Sequence, residues 1–217
     1  MIKVMTAADA IDLIKDGDMI GVNAFLALNN PEKLHDALYE KFTATGHPNN
    51  LRMYCTSGFG FWDENRVGDR YIKAGAVKSL ILGHIASMPA AMKMIAENKI
   101  EAYNLPLGVM AHLQRASASR KSGIFSDIGI NLFVDPRIEG PGLNERSKEK
   151  WVEIINVDGK DTLYYHCPKF DIAFIKGTAA DPNGNISFEK ECLTVDALTL
   201  AQATRANGGK VIVQVER

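Results

Sequence analysis

The chain has 217 residues, 46% of them hydrophobic and 24% charged, with a formal net charge of −1. That balance belongs to a globular fold with one large core, and the length is short for two domains without a linker between them. Near-neutral charge leaves no basic footprint for nucleic acid or an anionic membrane, so neither is expected as a partner.

Thr6, with Asp9 three residues on, makes a capping-box pattern, and Ala10, Ile11, Leu13 and Ile14 share a helical face before Asp16-Gly17 stops it. Met19–Val22 is a short apolar run of buried-strand type. Asn30-Pro31-Glu32 then supplies an N-cap, a proline at the first helical position and an acid in the first turn. The cycle repeats: a strand over Leu51–Cys55 with the loop Ser57-Gly58-Phe59-Gly60, then a strand over Val77–Leu82 with a helix opened by Ser87-Met88-Pro89. A strand over Ile100–Tyr103 and a helix carrying Met110, Leu113 and Gln114 follow. This alternation predicts an open α/β fold, a mostly parallel sheet with helices on both faces.

Between Ser122 and Asn144, Gly123, Gly129, Pro136, Gly140, Pro141 and Gly142 predict a long irregular excursion at the domain's edge. Asp158-Gly159, flanked by Trp151–Val157 and Thr162–Tyr165, predicts an antiparallel β-ribbon. Strands over Ile172–Ile175 and Ile186–Phe188 surround the turn Asp181-Pro182-Asn183-Gly184, and a helix over Val195–Ala206 closes at Asn207-Gly208-Gly209. Lys210–Val215 reads as a buried strand. Because no helix follows it before Arg217, the single domain over residues 1–217 is expected to be cut at its C-terminal end.

Cys55, Cys167 and Cys192 lie outside CxxC or Cys/His ligand spacing and are expected as buried reduced thiols, with no disulfide and no metal site. The N-terminal stretch lacks a signal-peptide pattern and no run reaches the roughly 20 apolar residues of a membrane span, so the expected compartment is the cytoplasm. GxGxxG, GxxxxGK[ST], GxSxG and HExxH are absent, which weakens dinucleotide, nucleotide, esterase and metalloprotease readings. In an open parallel sheet, ligands bind beyond the carboxyl ends of the strands, which directs attention to the residues just after Val22, Cys55, Gly83 and Tyr103.

Among the residues with chemistry to offer, His84 stands at a strand end, whereas His112 lies within an amphipathic helix where a buried or half-buried packing role is expected. The turn Ser57-Gly58-Phe59-Gly60 either admits a phosphate or pantetheine arm near its amides or is a flexible surface turn. Phe25, Phe59 and Trp62 read as core or rim aromatics, and Glu32, Glu64, Glu97 and Glu101 as solvated helix or loop charges.

The segment from Asp16 to Pro31 resembles the signature of the class I CoA-transferases. In that signature Asp-Gly precedes a short apolar strand, a Gly-Gly-Phe turn, a further glycine and a helix-starting proline. Here Asn23 and Ala24 stand for the paired glycines and Asn29 for the later one. Asparagine tolerates positive φ, so Asn29 keeps the backbone path, while Asn23 adds an amide where glycine lets a ligand approach. Gly83-His84, Ala86-Ser87-Met88-Pro89, Ala102-Tyr103-Asn104, Gln114-Arg115, Val134-Asp135-Pro136-Arg137, the run Gly184 to Glu191 and the terminal Val211 to Arg217 are similar to propionate and acetate CoA-transferases. The resemblance spans nearly the whole chain.

The resemblance implies the N-terminal, alpha-type half of an acyl-CoA:carboxylate CoA-transferase. Its substrates would be a short-chain acyl-CoA and an acetate-like carboxylic acid, with coenzyme A a substrate and no separate cofactor. Transfer would be ping-pong through a glutamyl-CoA thioester, in which a carboxylate splits one hard exchange into easier steps. That glutamate belongs to the family's C-terminal half or beta subunit, which is therefore an expected partner, in an oligomer. No position here matches its motif, so no catalytic residue is assigned. The implied substrate-binding residues are Asn23, Ala24, Phe25, Asn29, Ser57, Gly58, His84, Asn104, Leu107 and Gly108.

The family's glutamine-bearing turn is here Leu105-Pro106-Leu107-Gly108. Leucine has no donor, and losing one oxyanion donor costs about 3 kcal/mol, on the order of a hundredfold in rate. Asn104 is either its substitute or a strand-end asparagine bonded locally. Two other readings stand beside this one. A metabolite-binding or phosphosugar isomerase-like module calls for acid/base carboxylates and a phosphate loop that the sequence does not clearly supply. A catalytically silent assembly partner is suggested by Asn23, Ala24 and Leu107.

Overall fold

A computed structural model of the chain describes residues 2–216. In chain order its elements are α1 (Ala7–Ile11), β1 (Met19–Val22), α2 (Glu32–Thr45), β2 (Leu51–Cys55), α3 (Val67–Ala74), β3 (Val77–Leu82), α4 (Pro89–Ala96), β4 (Glu101–Asn104) and α5 (Leu107–Ala118). Then come β5 (Gly123–Ser126), β6 (Val152–Val157), β7 (Lys160–His166), β8 (Ile172–Lys176), β9 (Ala179–Ala180), β10 (Ile186–Ser187), α6 (Ala197–Ala206) and β11 (Lys210–Gln214).

The central sheet has the order β11-β8-β1-β2-β3-β4, and every pairing in it is parallel. Alternate side chains of a strand face opposite ways, and both faces here are apolar. Ile20, Val22, Met53, Leu80, Leu82 and Phe174 pack against α1 to α4, through Ile11, Leu38, Ile72 and Ala91. Met19, Tyr54, Ile81, Tyr103 and Ala173 pack the other way, against α5, α6 and the small antiparallel sheet, through Met110, Leu113, Leu200 and Tyr165. Double coverage explains why the strands read as continuous apolar runs rather than alternating ones. Each buried leucine or isoleucine in these layers contributes about 1.5–3 kcal/mol.

Local signals were realised closely at several points. Thr6 Oγ1 accepts the Asp9 N–H at 3.1 Å and caps α1. Asp158 and Gly159 adopt φ of 51° and 83° between β6 and β7, the paired positive values of a type I′ hairpin turn. The ribbon gains β5 as a third strand, in the order β5-β7-β6.

Elsewhere tertiary context changed the outcome. α1 stops at Ile11, although Ile14 remains buried. Asn30 does not cap α2: Pro31 occupies the N-cap position, and Asn30 Nδ2 donates instead to the Leu26 carbonyl at 2.7 Å. α3 and β5 were not expected. α6 begins at Ala197 rather than Val195. β11 is an edge strand with Ile212 as its buried residue, not a strand buried throughout. Of the cysteines, Cys55 is buried, Cys167 half-buried and Cys192 exposed.

The excursion after α5 lies along the opposite edge of the sheet, beside β4. Asn104 N–H donates to the Pro141 carbonyl at 2.8 Å, Leu143 N–H to the Ala102 carbonyl at 2.9 Å, and Ala102 N–H to Ser147 Oγ at 2.8 Å. An unpaired edge is thereby sealed. On the other face, α4 has no cap of its own, and buried Asp69 of α3 accepts the Ala91 N–H at 3.1 Å. Burial pushes that carboxyl up to about 6, with the Ala91 N–H pulling the other way. No described helix is long and apolar enough to cross a membrane.

Candidate functional site

Strand order reverses beside β1: β2 to β4 run outward on one side, while β8 and β11 return on the other. The crossing helices accordingly change face, with α2 to α4 on one and α6 on the other. Beyond the carboxyl ends of β1 and β8 this leaves the switch-point crevice where open α/β sheets bind ligands.

The loops at that edge are knitted together by backbone hydrogen bonds. Leu26 N–H donates to the Gly58 carbonyl at 2.8 Å, and the Ser57 carbonyl accepts from Gly83 and His84 N–H, each at 3.0 Å. Trp62 N–H donates to the Ser87 carbonyl at 2.9 Å. A side chain on Gly58 would collide with the His84 carbonyl, and one on Gly83 with the Thr56 carbonyl. Both glycines are therefore required by close backbone approach. The turn after β2 is buried, with Phe59 inaccessible, which excludes the flexible surface turn.

The ten sequence-predicted residues lie on these loops, at the end of β4 or, for Leu107 and Gly108, in the first turn of α5, and they differ in what they present. Asn23, Ala24, Asn29, Ser57 and Gly58 are buried. Asn29 has φ 62°, the left-handed conformation expected for a residue standing in for glycine, and its amide has no partner among the described residues. Asn104 Nδ2 donates to the Leu82 carbonyl at 2.9 Å, a local strand-end bond. Phe25, His84, Leu107 and Gly108 are exposed. Leu28 and Trp62 add apolar surface at the same edge. His112 is exposed on α5 rather than packed, and Phe59 is core while Phe25 and Trp62 form rim.

Sequence reasoning missed the residues that arrive from far along the chain. Asp196, preceding α6, accepts a hydrogen bond from the Thr56 hydroxyl. Its N–H donates to Asn23 Oδ1 at 3.0 Å, while Asn23 Nδ2 donates to the Thr194 carbonyl at 3.3 Å. No spacing in the sequence links positions 56 and 196. His35 was missed as well. It is fully buried beneath the loops, stacked against Phe59 and Tyr71, with Nδ1 2.9 Å from the Tyr71 hydroxyl. Burial, aided by the Arg70 charge, lowers its pKa to about 3, so it is neutral near pH 7.

The chemistry available at this edge is limited. Burial raises the Cys55 thiol to about 12, so it offers no thiolate. Glu32 pairs with Arg66, Glu64 with Lys73 and Glu97 with Lys99, all at the surface, and Glu101 lies 3.8 Å from Lys78. No group of described His, Cys, Asp or Glu side chains is arranged to hold a metal. A groove of about 560 Å³ does exist, but it lies between the last turns of α5 and α6, lined by Arg115, Ser119 and Arg205, at the opposite end of the sheet.

The family described as Coenzyme A transferase matches residues 4–217. Caffeate CoA-transferase of Acetobacterium woodii is 38% identical over 216 residues, covering 100% of this chain and 41% of that protein. The crystal structure of the acyl-CoA transferase YdiF apoenzyme from Escherichia coli O157:H7 superimposes with a TM-score of 0.94 at 38% identity, over 99% of this chain and 42% of that one. A probable coenzyme A transferase subunit alpha of Bacillus subtilis is 28% identical, covering 94% of this chain and 80% of that protein. The chain thus spans about two fifths of the longer relatives and most of the alpha subunit.

Proposed function

The chain belongs to the coenzyme A transferase family, and we propose that it forms the N-terminal, alpha-type half of an acyl-CoA:carboxylate CoA-transferase whose nucleophilic glutamate is carried by a second half. The observation that carries this reading is the strand-end face itself. Three loops, after β1, β2 and β3, are tied into one wall that presents Phe25 and His84, with Leu107 and Gly108 exposed at the start of α5, while the acids Glu32, Glu64 and Glu97 are held at the surface by cations. The Asp196 carboxylate at this edge is engaged by the Thr56 hydroxyl, so the wall suits a partner that brings the attacking carboxylate. The match to 41% of one relative and 80% of an alpha subunit supports the same division.

The substrates in this reading are a short-chain acyl-CoA and an acetate-like acid, with coenzyme A acting as substrate and no further cofactor. A cytoplasmic location and oligomeric assembly with the second half belong to it too. Leu107 places no donor at the loop after β4, and Asn104 Nδ2 is already bonded to Leu82. Stabilisation of the developing oxyanion is thus assigned to backbone N–H groups or to the second half.

The test is exchange of isotopically labelled acetate into acetyl-CoA. Activity is expected when this chain is co-expressed with its second half and none above background from residues 1–217 alone. Exchange catalysed by the chain alone contradicts the proposal.

A further inference from the structure

Asn23 occupies a position where the family resemblance has glycine, and its amide is committed inside the fold. The two groups it binds, the Thr194 carbonyl and the Asp196 N–H, flank a single residue, Val195. Val195 has φ 45°, a conformation that a β-branched side chain holds only when its surroundings over-determine it. The carboxamide therefore bridges the corner like a staple, pinning the backbone on either side.

The corner is held from two further directions. The Asp196 carboxylate accepts from Thr56, which begins the loop after β2. Thr199 Oγ1, one turn into α6, lies 3.1 Å from the Asp196 carbonyl and 2.8 Å from the buried Gln114 amide of α5. The loop after β1, the loop after β2, α5 and α6 thus all meet at Val195-Asp196. They meet beside the β1/β8 switch-point crevice, because Asn23 N–H also donates to Phe174 of β8 at 2.9 Å.

We propose that Asn23 and Asp196 are positioning residues: together they hold the Val195 corner in its left-handed conformation and so fix the first loop and the start of α6 over the crevice. Neither contacts substrate in this account. Without the staple, Val195 relaxes toward negative φ, Asp196 moves away from Thr56, and the wall loses its set geometry. The activity arm of the test below rests on the CoA-transferase reading; the exchange arm does not.

The experiment compares Asn23→Gly, Asp196→Ala and the double variant Asn23→Gly/Val195→Gly in the complete enzyme. Glycine at 195 adopts positive φ without the steric strain that valine carries there, so it lessens the need for the staple. Asn23→Gly and Asp196→Ala are each expected to speed hydrogen exchange of the amides at 195–198 by about tenfold. KM for acyl-CoA should rise by a similar factor while kcat changes less than about twofold. Val195→Gly should return most of both changes to Asn23→Gly. Unchanged exchange in the single variants, or a defect that Val195→Gly leaves in place, overturns the proposal. Should the wild-type complex transfer no CoA, the functional reading fails and the exchange and rescue results alone decide this one.

Discussion

Replacing Gly83 with alanine is expected to lower the stability of the whole domain by about 3 kcal/mol, because the added methyl meets backbone on a side that cannot move. The Thr56 carbonyl oxygen lies well inside van der Waals range of the new Cβ, with its carbon at 3.1 Å and Leu107 Cβ at 3.4 Å. Thr56 is held at the end of β2 and by its hydroxyl bond to Asp196, so relief requires moving the β2 and β3 loops apart. The Ser57 carbonyl would then lose its bonds to Gly83 and His84. Against a total stability of about 5–15 kcal/mol, this is a large fraction. Urea unfolding should show a lowered midpoint with an unchanged slope. Gly108→Ala is the control: nothing lies within 4 Å of its Cβ direction and it sits in the first turn of α5, so stability should hold or rise by up to about 1 kcal/mol.

The second large effect is expected at Asp135, whose carboxylate is fully buried in the excursion. It accepts the Asn131 N–H at 3.0 Å, the Arg137 N–H and Nε–H at 3.0 Å each, and Arg137 Nη2–H at 2.7 Å. Asn131 has φ 62°, so the carboxylate also holds a left-handed backbone in place. Asp135→Ala leaves these donors without their acceptor and should cost roughly 3 kcal/mol at pH 7. The Arg137 guanidinium holds this carboxyl well below the usual range. A depressed folded-state pKa contributes stability above the unfolded value near 3.8 and loses it as pH falls below that. The gap between wild type and Asp135→Ala should therefore be full at pH 6–7 and shrink below about pH 4. Thermal unfolding across that range measures it, and a gap independent of pH would contradict the assignment.

Signals read well from sequence were those that act within a few residues. The Thr6–Asp9 cap, the Asp158-Gly159 turn and the apolar runs of β1, β2, β3 and β8 each carry their own cause, and the parallel sheet follows from their alternation. Failures came where a distant partner decides. β5 is a strand because Gly123 to Ser126 pair with Leu163 to His166. Asn30 abandons its capping role for the Leu26 carbonyl inside a loop whose path the sequence does not state. Val67, Tyr71 and Ile72 of α3 do share a buried face, a periodicity available to closer reading.

At the candidate site the same division holds. The strand-end rule pointed to the loops after four strands and the family resemblance supplied the ten residues, but neither says whether a side chain there turns in or out. Asn23 turns in because Thr194 and Asp196 await it from 171 and 173 residues away. His35 lies buried beneath the loops, in α2 and away from any strand end, so no strand-end argument reaches it.

The central claim is that this chain shapes a thioester site without supplying its nucleophile. Incubating the complete enzyme with acyl-CoA, trapping the enzyme-bound thioester with borohydride and mapping the modified residue by mass spectrometry tests it most directly. The account predicts a reduced glutamate outside residues 1–217 and unmodified peptides across this chain. A reduced side chain at any of the carboxylates within it would contradict the account.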